Sequence, residues 1–474
     1  MGGANQRRAG VYRLAAIREI RVDLETSSGQ QALLVGLLVM PVIVVIAVVL
    51  AVVGGVVWLT TASALPPTPA VVVATASEPP LAVVNRLVVV NAEGQLETMT
   101  PEGGDRRTLT NGPYVFQFPA WSPDGRSLAA IGVSRDAGGV FVLSDSADSP
   151  IPLYLSQERY PIYLYWSPDS RQVSFIADDP DAGIALYLAP RDGSQAARLL
   201  ASGRPFYWDW AADSTELFLH TGFVNSRPRL SLWNLAQDVG GEELATPGYF
   251  QSPDISAGGR YLAYTEAPTS SDRQVVVADR RTGERLTVPH RGLAAFGWSP
   301  TAEQLLLMAG TGSAEISFGP LQLIDAPSGE TRILTNAFAI AFFWSPDGRA
   351  VAYLSLHGQR PPSRDLLARP AGGAHRAALQ PIQDGDLVLE LWFVDVATGR
   401  EQLGGAFRPT RQFISQFLPY FDQYAHSHAL WAPDSQSLVL PVFTANADAI
   451  YRFFVDGRSP LPIARGSSAF WSRQ

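Results

Sequence analysis

The residues best suited to bind a ligand lie in two stretches that combine arginine with aromatic side chains or histidine. The first stretch, from His357, carries Arg360, Arg364, Arg369 and Arg376. The second, from Phe407, carries Arg408, Arg411, Tyr420, Phe421, Tyr424, His426 and His428. Guanidinium groups beside aromatic rings are typical of recognition surfaces. Both stretches are therefore predicted to bind a carboxylate, a sugar or a protein edge, the alternative being that they only pack on the fold.

Two of these histidines, His426 and His428, have the spacing HxH. On a strand, alternate residues share a face, so both imidazoles would point the same way. A metal site needs further ligands. The other histidines, which show no ligand spacing, are His220, His290, His357 and His375. We therefore expect no metal and no cofactor.

The chain carries no recognised catalytic motif. It contains no GxSxG nucleophile elbow, no HExxH, no glycine-rich phosphate loop and no cysteine. All 36 basic residues counted as Lys or Arg are arginine, which excludes Schiff-base chemistry through lysine. We expect a protein that is not an enzyme, and leave open a carbohydrate- or peptide-acting enzyme with its site in a channel.

The two stretches interrupt a repeat that occupies most of the chain. Its copies begin with WSPDGRSLAAIG or a variant, at Trp121, Trp166, Trp210, Ile255, Trp298, Trp344 and Trp431, and a partial copy ends the chain at Trp471. Successive anchors lie 45, 44, 45, 43, 46, 87 and 40 residues apart. A period near 44 residues indicates a stack of supersecondary units.

Each unit has the pattern of four antiparallel strands. An aromatic run ends at the anchor, SPDG forms a tight turn, and alternating segments follow, with a glycine-bearing turn such as Thr282–Gly283 before the last. No unit contains a long segment of helical period, which excludes a helical solenoid. The fold class is therefore all-β, a β-propeller with four-stranded blades.

The number of blades follows from the residues available. Residues 84–474, less the extra length between Trp344 and Trp431, divide into eight units of about 44 residues. The segment after Asn85 supplies three strands, and the terminal Ser468–Trp471 supplies the missing first one. We predict eight blades closed by pairing of the two chain ends, with seven as the alternative.

The WSPDGR unit, followed by an alternating strand and a TGE-like turn, resembles the TolB-type, WD-repeat-like propeller repeat. A similar repeat occurs in the propeller of prolyl oligopeptidase proteins, whose hydrolase domain has no counterpart in this resemblance. The resemblance covers residues 84–474. It implies a TolB-like platform of the cell envelope. Two copies depart from the motif, with Ile255 and Gly258 in one and Thr301 and Ala302 in the other, so we expect both turns to be altered.

The anchors and the turn aspartates are expected to be structural, with the tryptophan packed between blades and the aspartate bonded within its turn. The aromatic runs before each anchor should lead into a central channel. The candidates at its mouth are Tyr160, Tyr163, Arg204, Tyr207, Tyr249 and Arg465. Plain packing of the inner strands is the alternative for this set.

The insertion-bearing blade spans about residues 344–430. One insertion lies between the second and third strands and the other between the fourth strand and the next anchor. In an antiparallel blade these two connections share one face, opposite the short turns. This face is the predicted binding face.

An apolar segment near the N-terminus predicts a membrane anchor. Residues 31–60 contain no charged residue, and residues 32–58 are long enough to span a bilayer. Arginines in the leader, residues 1–30, place that end in the cytoplasm. A Pro/Ala/Thr-rich tether, 61–83, follows. A cleaved signal peptide is the alternative.

These observations predict a single-pass protein of the cell membrane with an extracytoplasmic propeller. The formal charge of -8 argues against nucleic acid as a partner. We expect another envelope protein or a small extracytoplasmic ligand to bind, so the propeller would act as an interaction platform. A sensor that signals through a membrane partner is the alternative.

Overall fold

The computed structural model describes residues 85–473, except 145–148, 182, 205, 223–227, 238–240, 249–251, 268–272, 291, 310–318, 359–386 and 446. The predicted leader, membrane span and tether lie outside the described residues. No helix among the residues described is long and apolar enough to cross a membrane. All of them belong to one compact unit, composed of 80–377 and 382–474.

This unit is all-β, and most of its sheets contain four antiparallel strands, which is consistent with a β-propeller. The first sheets along the chain are formed by β1 (Leu87–Val90), β2 (Leu96–Met99) and β3 (Arg107–Thr108); β4 (Val115–Trp121), β5 (Ser127–Val133), β6 (Gly138–Ser144) and β7 (Ile151–Ser156); and β8 (Pro161–Trp166), β9 (Gln172–Asp179), β10 (Gly183–Pro190) and β11 (Arg198–Ser202).

The middle sheets follow the same plan. They are formed by β12 (Phe206–Trp210), β13 (Glu216–Thr221), β14 (Arg229–Asn234) and β15 (Glu242–Ala245), and by β16 (Asp254–Ile255), β17 (Tyr261–Glu266), β18 (Arg273–Asp279) and β19 (Arg285–His290). The inner strands of these sheets are buried on both faces. In β12, for example, all five residues are buried.

The next sheet has seven strands because one long strand serves two units. It is formed by β20 (Ala294–Trp298), β21 (Gln304–Ala309), β22 (Gly319–Asp325), β23 (Thr331–Trp344), β24 (Ala350–Leu356), β25 (Leu389–Asp395) and β26 (Glu401–Phe407). The N-terminal half of β23 pairs with β22 and its C-terminal half pairs with β24. β23 is therefore the last strand of one unit and the first strand of the next.

The final strands close the series. They are β27 (Ser437–Phe443), β28 (Asp448–Phe454), β29 (Leu461–Arg465) and β30 (Ser468–Trp471), and Trp431 pairs with Leu438 of β27 through an isolated bridge. β30 pairs antiparallel with β1, with Val88 opposite Phe470. The predicted pairing of the two ends is confirmed, and β1 thereby gains a partner on each side.

The anchor tryptophans join neighbouring sheets, as predicted. In four of them the indole N–H donates to the carbonyl of the residue before the preceding anchor, in the pairs Trp166 with Ala120, Trp298 with Asp254, Trp344 with Gly297 and Trp431 with Phe343, at 2.9, 3.4, 2.9 and 3.1 Å. These contacts combine a large buried apolar area with a directed hydrogen bond, so these four anchors fix the position of one group of strands relative to the preceding one.

The turn aspartates bond within their own turns. Asp124 accepts hydrogen bonds from the Ser122 hydroxyl and the Arg126 amide. Its own amide donates to the Ser170 hydroxyl in the neighbouring sheet at 2.9 Å. Ser170 has a φ of +61°, at a position that glycine holds in three copies (Gly125, Gly259 and Gly348) and serine in two others (Ser214 and Ser435). The serine accepts this backbone strain and supplies a bond between sheets.

One of the two departing turns differs from our expectation. The turn after Ile255 keeps the backbone pattern, because the Gly259 amide donates to the Ser256 carbonyl and the Ser256 amide to the Tyr261 carbonyl. Gly259, with a φ of +70°, closes this turn without any aspartate. After Trp298 the turn is altered as expected, and only the outer pair between Ser299 and Gln304 is formed.

His290, at the end of β19, gives the fold a dependence on acid. Both of its ring nitrogens are buried. Burial, with the nearby Arg273 guanidinium, lowers the pKa of His290 to about 4. The unfolded chain takes up this proton near the ordinary pKa of 6.5, so stability should fall as the pH drops from 6.5 to 4, by about 2 kcal/mol once solvent screening of this half-buried side chain is allowed for.

Urea unfolding of wild type and a His290→Gln variant at pH 7 and pH 4 measures this effect. The loss of stability on acidification should be smaller in the variant by that amount. Equal losses in the two proteins would show that His290 does not titrate in this way.

Candidate functional site

The second insertion folds into a short helical segment that we call the plug, residues 408–430. It contains a π-helical turn (Phe413–Phe417), a 3-10 turn (Leu418–Tyr420) and the helix α1 (Phe421–Ser427). The Thr410 hydroxyl accepts a bond from the Phe413 amide at its start. The plug corrects our expectation that no unit contains a long segment of helical period.

Aromatic residues define the buried side of the plug. Phe413, Phe417, Phe421 and Tyr424 are separated by four, four and three residues, which is the spacing of one helical face. All four are buried, at 2–5% exposure. This apolar face drives the plug against the sheets.

The plug packs against the first strands of several sheets. The ring of Phe421 lies 5.4 Å from that of Phe342 in β23, and the ring of Tyr424 lies 5.0 Å from Phe118 in β4 and 5.1 Å from Tyr163 in β8. The first strand is the innermost strand of a propeller blade. The plug therefore occupies the side of the sheets where a central channel was expected.

Gln423 is the main polar contact of the plug. Its Oε1 accepts the Trp208 amide at 3.0 Å, and its Nε2 donates to the Trp208 carbonyl at 2.9 Å. The Ser252 hydroxyl also donates to Oε1, at 3.2 Å. The side chain thus pairs with the inner strand β12 as a neighbouring strand would, and satisfies backbone groups that are buried.

His428 and Ser427 form a second buried contact. The Nε2 of His428 lies 3.0 Å from the Phe118 carbonyl, and its Nδ1 lies 2.6 Å from the Ser427 hydroxyl. Phe118 has a φ of +45° at a bulge in β4, and its carbonyl accepts from the imidazole. The Tyr163 hydroxyl donates to Ser427 at 2.6 Å. Burial lowers the pKa of His428 to about 4.

His426 faces two carboxylates. Its Nδ1 lies 3.5 Å from Oδ1 of Asp209 and 4.0 Å from Oδ1 of Asp254. Both aspartates are buried, at 3% and 4% exposure. Burial and the Asp209 charge raise the pKa of Asp254 to about 7, against the attraction of His426. Burial opposes protonation of His426, yet Asp209, Asp254 and Asp422 together raise its pKa.

His426 and His428 do not act as an HxH pair. His426 is in α1 and His428 caps its end, with its amide bonded to the Tyr424 carbonyl. Because the two residues are not on a strand, their imidazoles contact different partners. This corrects the assumption on which the pair was considered for metal binding.

The predicted residues of the two insertions occupy three environments. Arg408, Arg411 and Tyr420 are exposed on the plug, with Tyr420 at 47%. Phe421, Tyr424 and His428 are buried, and His426 is half-buried. Arg360, Arg364, Arg369 and Arg376 lie outside the described residues.

The predicted channel-mouth residues are also divided. Tyr163 and Tyr207 are buried at 5% and 9%, Tyr160 and Arg204 are half-buried, and Arg465 is exposed. Tyr249 lies outside the described residues. Of this set, Tyr163 is the one placed directly against the plug by a hydrogen bond.

Asp209, Asp254 and Gln423 are functional candidates that were not predicted from the sequence. Each aspartate immediately precedes an anchor, Trp210 or Ile255. The residues at this position in the other units are apolar, glycine or tyrosine, namely Ala120, Tyr165, Gly297, Phe343, Leu430 and Phe470. Two acidic residues in successive copies of a buried position were the available signal.

Comparisons with known proteins support the fold. No protein-family model matches the chain. An uncharacterized protein of Agrobacterium fabrum is 27% identical over 273 residues, which cover 52% of this chain and 87% of that protein.

Solved structures similar to the chain include a TolB and a prolyl endopeptidase. The putative TolB from Agrobacterium tumefaciens is 19% identical and covers 56% of this chain and 94% of its own, with a TM-score of 0.36. The prolyl endopeptidase is 11% identical and covers 76% of this chain and 50% of its own, with a TM-score of 0.50. At these identities the similarity concerns the fold alone, and the likeness to the prolyl endopeptidase is consistent with the predicted resemblance to a prolyl oligopeptidase-type propeller.

Proposed function

We propose that this protein is a membrane-anchored, extracytoplasmic β-propeller that serves as a platform for binding another envelope protein. The observation that carries the proposal is the seating of the plug. The plug fills the inner side of the sheets with its own aromatic and amide groups. A binding function is then best served by the outward surface of the plug, where Arg408, Arg411 and Tyr420 are exposed.

We also propose that the propeller has eight blades. Among the described residues, the strand groups number eight when β23 is shared between two and Trp431 is counted as the first strand of the last sheet. The pairing of β30 with β1 joins the last group of strands to the first. This arrangement is supported by the repeat of about 44 residues in the sequence.

The chemistry of the exposed surface favours a protein partner. Two arginines and a tyrosine are the residue types that contribute most to binding at protein interfaces. The guanidinium groups would pair with carboxylates of the partner, and the Tyr420 ring would provide apolar area. The plug also fills the place where a substrate would bind in a channel enzyme, which makes that alternative less favourable.

Affinity capture from native membranes tests the platform. We expect a partner that is captured by the wild-type chain and lost from a variant with Arg408→Ala, Arg411→Ala and Tyr420→Ala. A double variant at Arg126 and Arg171, exposed arginines of the short turns, should retain it. If the same proteins are captured by all three chains, the plug surface is not the binding face.

The anchor is tested separately by extraction at alkaline pH. The full chain should stay with the membrane pellet, because about 20 apolar residues suffice to span the bilayer. A chain lacking residues 1–60 should appear in the supernatant. Release of the full chain by carbonate, or its recovery without the first 60 residues, would contradict the anchor.

A further inference from the structure

Asp209, Asp254 and His426 bring three metal-ligand side chains together from distant parts of the chain. Asp209 is in the inner strand β12, Asp254 in β16 and His426 in α1 of the plug. One ligand atom from each lies within 4.8 Å of the others. Among the described residues this is the one such group of three.

Backbone and side-chain bonds fix the orientation of both carboxylates. Oδ2 of Asp209 accepts the amide of Ile255 at 2.9 Å, and Oδ2 of Asp254 accepts the amide of Trp298 at 2.9 Å. Each carboxylate therefore accepts a hydrogen bond from the backbone amide of the anchor residue in the next sheet. Oδ1 of Asp209 also accepts the Tyr165 hydroxyl at 3.1 Å and the Trp210 amide at 2.8 Å, and the Oδ1 atoms of both aspartates lie within 4.0 Å of Nδ1 of His426. Such outer bonds are the usual means by which metal ligands are held in position.

The distances from His426 to the two carboxylates are too long for direct hydrogen bonds. Nδ1 is 3.5 and 4.0 Å from the two Oδ1 atoms, whereas bonds between N–H and oxygen measure about 2.7 to 3.2 Å. Ligands around a metal, each about 2.0 to 2.2 Å from the ion, lie about 3 to 3.5 Å from one another. A small inward movement of the three groups would form such a site.

Charge also favours a cation at this place. Two carboxylates buried side by side are costly unless positive charge compensates them. A protonated His426 would neutralise one of the two negative charges. A divalent ion neutralises both and leaves the imidazole neutral, which is the form that binds metal. The buried Nε2 of His426 has no hydrogen-bond partner.

We propose that Asp209, Asp254 and His426 bind a divalent transition-metal ion that ties the plug to two inner strands. A ligand set of one imidazole nitrogen and two carboxylate oxygens suits Zn²⁺. The site does not depend on the proposed partner, because it holds the plug in place from within.

Zn²⁺ binding to the full chain, purified in detergent and stripped with EDTA, tests the proposal. We expect one Zn²⁺ per chain by calorimetry and by metal analysis, with a rise in the unfolding temperature. Asp254→Asn and His426→Gln should each weaken binding by more than about tenfold. His357→Gln is the control, because His357 pairs with Glu390 at 2.7 Å on the surface and offers another zinc site.

A second measurement keeps the test valid if a variant folds poorly. Co²⁺ added to the stripped wild-type chain should give visible d–d bands, which Zn²⁺ should abolish by displacement. Absence of stoichiometric binding and of these bands would overturn the proposal. Binding that is lost in His357→Gln and kept in the two site variants would also overturn it, since the ion would then be at the surface.

Discussion

Replacing Trp471 by alanine should lower the free energy of unfolding by about 3 to 5 kcal/mol, as expected for a fully buried tryptophan. The side chain is 1% exposed and belongs to a buried cluster with Leu87, Val89 and Val439. This cluster joins β30 to β1 and to the preceding sheet, so the substitution removes packing from the joint between the two ends of the chain. Urea unfolding monitored by circular dichroism measures the loss.

Hydrogen exchange identifies the joint as the place where the loss occurs. Amides of β1 should exchange faster in Trp471→Ala. Trp392→Ala is the matched control, because Trp392 is half-buried in β25 and stacks on Tyr353 at 6.5 Å. Trp392→Ala should lower the free energy of unfolding by less than Trp471→Ala and leave the amides of β1 protected from exchange. Protection of β1 unchanged in Trp471→Ala would contradict closure of the sheets by the terminal strand.

Replacing Gln423 by leucine should destabilise the chain by about 3 kcal/mol. The substitution preserves approximate size but leaves the amide and carbonyl of Trp208 without their partner, and each buried unpaired group costs about 1 to 3 kcal/mol. The same denaturant experiment measures this loss. A change of the tryptophan fluorescence spectrum should accompany it.

The control for this experiment is Gln436→Leu. Gln436 is exposed in the turn after Trp431 and bonds to the Asp434 carbonyl at 3.3 Å. Substitution there should change stability by less than about 0.5 kcal/mol. Equal effects at positions 423 and 436 would mean that the amide of Gln423 is not needed to seat the plug.

The repeat predicted the strands because its signals are local. An anchor tryptophan, a tight turn and an alternating segment recur within about 44 residues, and each determines its own backbone conformation. Pairing of β1 with β30 joins residues 382 positions apart at Val88 and Phe470. It could still be predicted, because the first unit lacks one strand and the last unit contains one.

The plug could be predicted only in part. Its aromatic residues 413, 417, 421 and 424 have helical spacing, which was visible in the sequence but was read only as recognition chemistry. What these rings contact depends on the assembled sheets. The contact between Gln423 and Trp208 spans 215 residues and has no local signal.

The turn after Ile255 illustrates a different limit. Loss of the motif's tryptophan and aspartate predicted an altered turn, yet Gly259 and the Ser256 backbone keep the original hydrogen bonds. Backbone geometry required only a residue able to adopt positive φ at the last position. The turn conformation is therefore compatible with sequences that lack the side chains of the motif.

Seating of the plug is tested most directly by labelling of single cysteines, since the chain has none of its own. Ser427 is buried at 4%, whereas Ser415 is exposed on the same segment. With a maleimide, Ser427→Cys should react at least about 100-fold more slowly than Ser415→Cys in the folded chain, and equally fast in denaturant, because reaction at 427 requires local opening. Equal rates in the folded chain would show that the plug does not occupy the inner side of the sheets.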